Sequence, residues 1–318
     1  MRLRNCLVGA LLIALTGCAE PLPRLSPPLP AQWQHAAASA KAAPTSLHSW
    51  WHAFADPELD AVVDRALASN LDVAAAVERL RAVRALHHSA EARYLPSLRF
   101  STNDVVDPSA NASYFFVGFD ANWELGTFGR GEGTRREAQG SLATRVADLR
   151  SAQVSLVAEV VREWIGLRTA QPQEQLLSRI SQARQQARQV LEVRQRLHLV
   201  AADAVDQAQA ACAQARAALA APRQAINASA QRLAVLLGQN HPDPAWLQPS
   251  PPPELGAWQL DSLPADLLRT RPEIARAEAD VLQAAGNQAL AHADMFPSLG
   301  LGGSIDWATD IDNNKKYT

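Results

Sequence analysis

The stretch Ala90-Glu91-Ala92-Arg93-Tyr94-Leu95-Pro96-Ser97-Leu98 recurs 201 positions later, without a gap, as Ala291-His292-Ala293-Asp294-Met295-Phe296-Pro297-Ser298-Leu299. In both copies a helix-like segment leads to an apolar-Pro-Ser-Leu corner, and an alternating segment typical of a strand follows. A repeat at a fixed offset indicates that the fold duplicates one helix-to-strand unit. Two strands and two long helices are expected after the first corner, whereas residues 300–318 are all that follow the second. We therefore expect the second copy to be incomplete.

The segment 130–239 has the seven-residue apolar spacing of a coiled coil. The pattern occurs in two successive parts, which we interpret as an outgoing and a returning helix of a hairpin. The outgoing rows are Leu142, Leu149, Leu156 and Glu163, beside Val146, Gln153, Val160 and Leu167, continuing through Leu176, Ala183, Val190 and Leu197. The returning rows are Val205, Cys212, Leu219, Ile226 and Leu233, beside Ala208, Ala215, Pro222, Ser229 and Leu236. These rows predict helical rods of roughly 50 to 100 Å, with Cys212 as a small buried apolar side chain.

Two prolines and a turn are expected to interrupt these rods. Pro172 either kinks the outgoing helix or marks its boundary, and Pro222 should interrupt the returning helix, because proline removes a backbone donor. We place the turn between the rods at His198, Leu199, Val200, Ala201, Ala202 and Asp203. No glycine lies there, and Asp203 is a candidate N-cap for the returning helix.

The N-terminus has the layout of a secretory signal. Arg2 and Arg4 precede an apolar run, Leu7–Leu15, that is too short for a permanent membrane span. Leu15-Thr16-Gly17-Cys18 resembles a bacterial lipobox, which implies cleavage before Cys18 and acylation of that residue, and Ala19 after it implies sorting to the outer membrane. An ordinary signal peptide with an incidental cysteine is the alternative.

Three segments alternate between apolar and polar residues as strands with two different faces do. In the clearest, Phe115, Val117, Phe119, Ala121 and Trp123 alternate with Phe116, Gly118, Asp120, Asn122 and Glu124. Segments 98–103 and 299–307 follow the same rule. Membrane barrel strands of about ten residues have this pattern, and so does a soluble sheet with one wet face. The lipoprotein-like signal and the adjoining rods favour the barrel, with Asp120, Asn122 and Glu124 facing the lumen.

Charge and composition exclude several classes of function. The 30 basic residues fall to 28 once Arg2 and Arg4 are removed with the signal, against 32 acidic residues, which argues against a nucleic-acid partner. Cys212 has no intrachain partner once Cys6 and Cys18 are assigned to the signal and the lipid. The eight histidines lack a recognisable metal motif, and no serine has a nucleophile setting. We expect no catalytic residue, no metal site and no cofactor.

Several motifs in order resemble one known family, the TolC-type outer-membrane efflux proteins, in the lipoprotein (NodT-like) branch that serves resistance-nodulation-division pumps. The motifs are Trp50-Trp51, Asp56-Pro57-Glu58-Leu59, Trp123-Glu124-Leu125 with Phe128-Gly129-Arg130, Leu233-Ala234-Val235-Leu236-Leu237-Gly238, and Arg271-Pro272-Glu273-Ile274. The resemblance implies a mainly α fold with membrane β strands, in which long coiled-coil hairpins join a share of a trimeric outer-membrane β-barrel.

The resemblance also implies a role and partners. The protein would be a passive, lipid-anchored exit duct in the outer membrane of a Gram-negative bacterium, extending into the periplasm and exporting drugs or other small toxic compounds. It would form a homotrimer and contact outer-membrane lipid, a periplasmic adaptor at the tip 198–203, and through the adaptor an inner-membrane transporter. Selection of the exported compounds is expected at the pump.

The resemblance divides the chain into nine segments. They are the signal peptide 1–17, an extended periplasmic segment 18–60, the first repeat helix 61–94, two barrel strands 95–125, the long helical hairpin 130–239, a Pro-rich linker 240–262, the second repeat helix 263–295, a third barrel strand 297–308 and a truncated tail 309–318.

Two departures from the family pattern lead to alternatives. The turn between the long helices lacks the usual glycine, and complete members continue through a fourth strand and a second helical pair, where the gating residues would lie. Three strands leave an open edge, which is costly in a bilayer, so we expect this product alone not to form a conducting duct. A non-conducting periplasmic helical lipoprotein and an inactive gene remnant are the alternatives.

Overall fold

A computed structural model describes residues 44–45, 47–105, 114–256, 259–260, 268, 270–310 and 316–317. The described residues divide into two compact units. The first, here called the sheet unit, lies within Glu78–Asp148 and Arg269–Thr318, and the second, the helical unit, lies within Leu29–Val77 and Leu149–Leu268. The predicted signal peptide and Cys18 lie outside the described residues, and so does the segment 106–113 within the two predicted barrel strands 95–125.

The elements follow the chain in this order: β1 (Pro44–Thr45), a 3₁₀ helix (Leu47–Phe54), α1 (Pro57–Ser69), α2 (Leu71–Ala92), β2 (Ser97–Val105), β3 (Tyr114–Leu125), α3 (Arg130–Arg196), α4 (Ala202–Ala217), α5 (Ala220–Leu236), a 3₁₀ helix (Pro244–Leu247), β4 (Gln259–Leu260), α6 (Pro272–Ala293), β5 (Leu299–Asp310) and β6 (Lys316–Tyr317). Among the described residues, no helix combines the length and the apolar character needed to cross a membrane.

The predicted duplication is visible in the element bounds. α2 and α6 each have 22 residues, Leu71–Ala92 and Pro272–Ala293, and both ends differ by the same 201 positions as the repeated stretches. A strand follows each helix after the Pro-Ser-Leu corner: β2 begins at Ser97 and β5 at Leu299. The chain therefore contains two copies of one helix-to-strand unit.

The sheet unit contains a four-stranded antiparallel sheet with the order β2-β3-β5-β6. β3 is paired with β2 on one edge and with β5 on the other, so the register aligns one residue from each strand. Phe119 lies between Phe100 and Ile305, and the next residue, Asp120, lies between Arg99 and Ser304. Because successive side chains of a strand point to opposite faces, the sheet has an apolar face and a polar face, as the alternation predicted.

The start of α3 packs closely against α6 in the sheet unit. Gly140 of α3 and Gly286 of α6 lie at this contact, where an added Cβ would clash with the backbone of the other helix. Thr144 donates its hydroxyl to Asp280 across the contact at 3.2 Å, and Arg276 pairs with Asp148 at 3.0 Å. The small residues therefore allow the two backbones to approach, and polar pairs fix their register.

The core of the helical unit is formed by α1, the beginning of α2, α3 from Leu149 onward and α5. Its most buried large side chains are Trp164, Leu59, Leu167, Leu233, Val62, Val63 and Val160. The predicted rows are therefore buried at Leu156, Val160 and Leu167, and at Cys212, Leu219 and Leu233 on the way back. Further along the outgoing row, Leu176, Val190 and Leu197 are exposed in the single chain.

The boundaries near the N-terminus differ from the prediction of an extended segment to residue 60 and one helix over 61–94. Residues 47–54 are 3₁₀-helical, and α1 already begins at Pro57, because Asp56 caps it by accepting hydrogen bonds from the amides of Glu58 and Leu59. The predicted single helix is divided at Asn70. The Asn70 carboxamide oxygen accepts from the amides of Asp72 and Val73, which starts a new helix.

The two prolines of the hairpin have different effects, and the break expected near Pro222 is present. Pro172 lies inside α3, which runs past it to Arg196, so Pro172 does not mark a helix boundary. The returning rod is interrupted at Ala218 and Leu219, between α4 and α5. Pro222 therefore lies in the first turn of α5, where a helix tolerates proline because the first amides have no intrahelical acceptor.

The remaining predicted segments shift by a few residues or contain short elements. The Pro-rich linker contains the 3₁₀ helix Pro244–Leu247, and β4 pairs in parallel with β1. α6 has its cap at Arg271 and ends at Ala293, within the predicted 263–295. β5 extends to Asp310, two residues beyond the predicted strand end. In the predicted tail, β6 pairs with β5 through Tyr317 and Lys316.

Candidate functional site

The apolar face of the sheet is the more exposed one. Phe119 is 41% exposed, Phe100 59% and Ile305 62%, although these three side chains lie side by side across β2, β3 and β5. The rings of Phe100 and Phe119 make contact, with centroids 5.3 Å apart. The same face carries further exposed apolar side chains: Leu98, Phe115, Trp123, Leu301 and Trp307. A contiguous apolar surface of this kind marks a site that meets a partner or a membrane.

The polar face carries the predicted lumen residues Asp120, Asn122 and Glu124 at alternate positions of β3. Asp120 is half-buried and its carboxylate accepts a hydrogen bond from the Ser101 hydroxyl at 2.7 Å. The carboxylate of Glu124 lies 3.9 Å from the guanidinium of Arg93. Asn122 is exposed. The structure therefore brings the three residues together on one face.

The junction between sheet and helices in the sheet unit is held by residues of both repeats. The Trp123 indole donates to the carbonyl of Tyr94 at 3.0 Å. Phe128 adopts a positive φ of 56° and its ring stacks on Phe296, with centroids 5.1 Å apart and planes 14° apart. Arg130 donates to the carboxylate of Asp294 and to the carbonyl of Ala293. The repeated corners of the sequence thus meet at one end of the sheet.

The predicted tip of the hairpin is a Schellman turn without glycine. His198 takes the left-handed conformation with φ of 57°. The amide of Leu199 donates to the carbonyl of Arg194 at 2.9 Å, and the amide of His198 donates to Gln195 at 2.8 Å. Of the other predicted tip residues, Leu199 is an exposed large hydrophobic side chain. Val200 and Ala201 complete the turn, and Ala202 starts α4.

Asp203 does not cap the returning helix, contrary to the prediction. The N-cap of α4 is Ala201, which makes no side-chain capping bond, and Asp203 lies within the first turn. The carboxylate there still faces the positive end of the helix dipole. The tip therefore combines an exposed leucine, a histidine and one acidic group.

Sequence reasoning missed a buried arginine in the helical unit. Arg168 of α3 is 3% exposed, donates to the carboxylate of Glu58 at 2.5 Å and to the carbonyl of Gln248 at 3.0 Å, and its guanidinium carbon lies 4.4 Å above the ring of Trp164. The Trp164 indole in turn donates to Asp56 at 2.8 Å. The Asp56-Pro57-Glu58 motif thus anchors α1 to α3. No local pattern around Arg168 points to these partners.

Among the carboxyl groups of the described residues, that of Glu273 has a clearly shifted pKa. A hydrogen bond from its own backbone amide, together with a hydrogen bond from Arg271, lowers the pKa of Glu273 below its ordinary value. Glu273 lies in the first turn of α6, outside the strands of the sheet.

One group of described residues could hold a metal ion. His87, His88 and Glu91 lie together near the end of α2, a group that the search of the sequence for metal motifs did not predict.

Residues 62–239 match the family model described as outer membrane efflux protein. The chain belongs to this family. The resemblance inferred from the motifs is confirmed, and so is the fold class, because the mainly helical chain with its small sheet matches solved TolC-like channels.

Two curated relatives and one solved structure illustrate the similarity. The pyoverdine export outer membrane protein OpmQ of Pseudomonas aeruginosa is 27% identical over 297 residues, which cover 87% of this chain and 61% of the relative. Nodulation protein T of Rhizobium leguminosarum bv. trifolii is 27% identical over 96% of this chain and 68% of its own length. The structure of the outer-membrane channel OprN is 28% identical and superposes with a TM-score of 0.74, over 90% of this chain and 68% of that one. The chain thus spans about three fifths of the length of OpmQ.

Proposed function

We propose that this chain is a subunit of an outer-membrane channel in a tripartite efflux pump that exports drugs or other small toxic compounds. The observation that supports this most is the difference in solvent exposure between the two faces of the sheet. The apolar face, with Phe100, Phe119 and Ile305, is exposed, whereas Asp120 on the polar face is half-buried.

This arrangement favours a membrane strand over a soluble one. A soluble sheet with one wet face covers its apolar face with a core and leaves its polar side chains in water. In a membrane barrel the apolar side chains face lipid and the polar ones face a wet interior. Among the described residues, the three central side chains of the apolar face are each 41% to 62% exposed. Lipid is the surrounding that suits such a face.

Site-specific fluorescence quenching tests the membrane orientation of the sheet. Single cysteines replace Phe119 and Ile305 on the apolar face, or Asp120 and Ser304 on the polar face, in a Cys212→Ser background. We expect probes at 119 and 305 to be quenched by brominated acyl chains, and probes at 120 and 304 to be quenched by aqueous iodide. Equal quenching of all four by iodide in vesicles would contradict the proposal.

The proposed assembly is a homotrimer in contact with a periplasmic adaptor and, through it, an inner-membrane resistance-nodulation-division transporter. The name of one relative, a pyoverdine export outer membrane protein, supports a role in export. Native mass spectrometry of the chain extracted in mild detergent is expected to give three copies per particle. A strictly monomeric particle would favour the non-conducting lipoprotein instead.

The adaptor contact is proposed at the tip formed by His198, Leu199, Val200, Ala201, Ala202 and Asp203. Photo-crosslinking residues at these positions, in cells that contain a pump and its adaptor, should yield a crosslink to a periplasmic protein that mass spectrometry identifies as the adaptor. Gln214, exposed on α4, is the matched control position and should yield none. Crosslinks of equal yield from Gln214, or none from the tip, would argue against this placement.

The anchor is proposed to be lipid on Cys18, with localisation in the outer membrane. Metabolic labelling with a palmitate analogue is expected to label the wild-type chain and not a Cys18→Ala variant. Mass spectrometry of the N-terminal peptide should place the added mass on Cys18, with Ala19 next in sequence. An unlabelled wild-type chain that begins elsewhere would support the ordinary signal peptide.

A further inference from the structure

The last turns of α2 carry three side chains with metal-ligating atoms on one side of the helix. His87 and Glu91 are four residues apart, and His88 and Glu91 three apart, which are the two spacings at which helical side chains meet. The Nδ1 atom of His87 lies 3.9 Å from one carboxylate oxygen of Glu91, and the Nδ1 atom of His88 lies 3.7 Å from the other. One ligand atom from each residue lies within 4.8 Å of the other two.

We propose that His87, His88 and Glu91 form a binding site for a divalent transition-metal ion such as Zn²⁺. Two imidazole nitrogens and one carboxylate oxygen are a ligand set that zinc accepts, with bonds of about 2.0 to 2.2 Å and the remaining position left to water. Ligand atoms of a tetrahedral site lie roughly 3.3 Å apart at these bond lengths. Rotation about side-chain torsions closes the difference from the present distances. Mg²⁺ and Ca²⁺ prefer all-oxygen ligands and are disfavoured here.

Among the described residues, the carboxylate of Glu91 is not engaged by an arginine or a lysine. Within the described chain, the ion-pair partners of Glu91 are His87 and His88 alone, so no arginine or lysine neutralises its carboxylate. The neighbouring acidic residue Glu132 is already paired, with Arg135 at 2.8 Å and with Arg136 at 2.9 Å. The carboxylate of Glu91 is therefore available as a ligand for a metal ion.

The site has access to solvent without being fully exposed. The His87 side chain is 13% exposed, whereas His88 and Glu91 are exposed. Glu91 also lines a cavity of about 490 Å³, together with Tyr94, Gly126, Gly129, Gly131, Glu132 and Arg135. The packing around His87 therefore restricts the position of one ligand. The cavity beside Glu91 leaves room for the ion and for the water that completes its coordination.

The second repeat supplies an internal comparison. At the positions of α6 that correspond to His87, His88 and Glu91 by the 201-residue offset stand Gln288, Ala289 and His292. Ala289 has no ligand atom, and His292 instead packs against Phe296, with ring centroids 5.4 Å apart. The ligand set is therefore specific to the first copy, and His292 is a suitable control.

Isothermal titration calorimetry of the untagged full chain in detergent, with ZnCl₂ as the probe, tests the proposal. We expect saturable binding of one ion per chain. His88→Ala and Glu91→Gln should each lower the association constant by roughly tenfold or more, since even the loss of a supporting outer-shell contact costs that much. His292→Ala should leave the constant unchanged, and MgCl₂ should give no saturable heat.

A second measurement keeps the test independent of folding defects. Diethyl pyrocarbonate modifies accessible imidazoles, and mass spectrometry locates the adducts. We expect Zn²⁺ to protect His87 and His88 in the wild-type chain while His292 and His198 react as before. The proposal would be overturned by an absence of saturable Zn²⁺ binding, by equal loss of affinity in His292→Ala, or by unaltered affinity in a triple variant of His87, His88 and Glu91 with wild-type helical circular dichroism.

Discussion

A Cβ atom added to Gly286 would lie 2.4 Å from the backbone nitrogen of Glu137. Further along the same contact, a Cβ on Gly140 would lie 2.5 Å from the backbone nitrogen of Gln283. Backbone atoms cannot yield as flexible side chains do, so α3 and α6 require glycine at both places. Each helical glycine costs about 1 kcal/mol relative to alanine, and the close approach of the helices offsets that cost.

Gly286→Ala and Gly140→Ala are each expected to destabilise the chain. The helix propensity gained is outweighed by overpacking, which typically costs about 1 to 3 kcal/mol. The transition measured by circular dichroism during heating in detergent should move to lower temperature. Gly166→Ala in the same α3 is the control, because a Cβ there would lie 3.4 Å from the Ser229 hydroxyl, which is an ordinary contact distance. An equal rise in melting temperature for all three variants would show that the close contact is absent.

His198→Gly is expected to stabilise the turn at the tip. A non-glycine residue in the left-handed conformation costs roughly 1 kcal/mol, and glycine removes most of that cost. α5 ends in the same motif with Gly238 at φ of 67°, and the amide of Gln239 donates to the carbonyl of Ala234. Unfolding in urea should show a free energy of unfolding raised by about 0.5 to 1 kcal/mol.

Ala204→Gly is the control for the tip. Ala204 lies inside α4 in ordinary helical backbone, where glycine should lower the free energy of unfolding by up to about 1 kcal/mol. If His198→Gly lowered stability by the same amount, the turn would not have the backbone described.

Arg168→Lys is expected to be strongly destabilising in spite of its conserved charge. Lysine cannot reproduce the planar fork that reaches Glu58, Gln171 and the carbonyl of Gln248. Arg168 and Gln171 are buried whereas Glu58 is exposed, so the polar groups left unpaired should cost about 1 to 3 kcal/mol. Chemical denaturation followed by tryptophan fluorescence measures the change. Arg162→Lys, an exposed arginine on the same helix, should change stability by less than about 1 kcal/mol, and a similar effect in both variants would refute the role of the buried network.

The lowered pKa of Glu273 predicts that acid reduces the stability of the folded chain at the start of α6. Because its pKa is lower in the folded chain than the ordinary 4.5, the stability it contributes is present above the unfolded pKa and is lost as the pH falls through the folded pKa. Glu273→Gln should therefore flatten the decline of melting temperature below about pH 4.5. Glu278→Gln in the same helix is the matched control. A decline unchanged by Glu273→Gln would remove the group from the acid response.

Periodic features were predictable from the sequence because each depends on spacing alone. The buried row Leu156, Val160 and Leu167 follows from the seven-residue pattern, and the two faces of β3 follow from alternation at Phe119 and Asp120. The offset of the Pro-Ser-Leu corners predicted two equivalent helices, and their bounds agree to the residue.

The features that the sequence did not predict depend on distant partners or on single backbone angles. Asn70 divides a helical pattern because its carboxamide caps α2 while donating to the carbonyl of Leu236. His198 adopts the left-handed backbone conformation, which glycine adopts more readily than histidine. The partners of Arg168 lie at Glu58 and Gln248, too far along the chain for any local pattern to reveal them.

The position of β3 restricts how this sheet can grow. All of β3 is hydrogen-bonded to β5 on one edge, and Tyr114–Asn122 is bonded to β2 on the other. Strand exchange in the middle of the sheet would require breaking both ladders at once. An additional strand can therefore join this sheet only at the free edge of β2 or on the far side of β5. The pairing of β3 keeps the apolar side chains of β2, β3 and β5 in one register, whichever strand is added outside them.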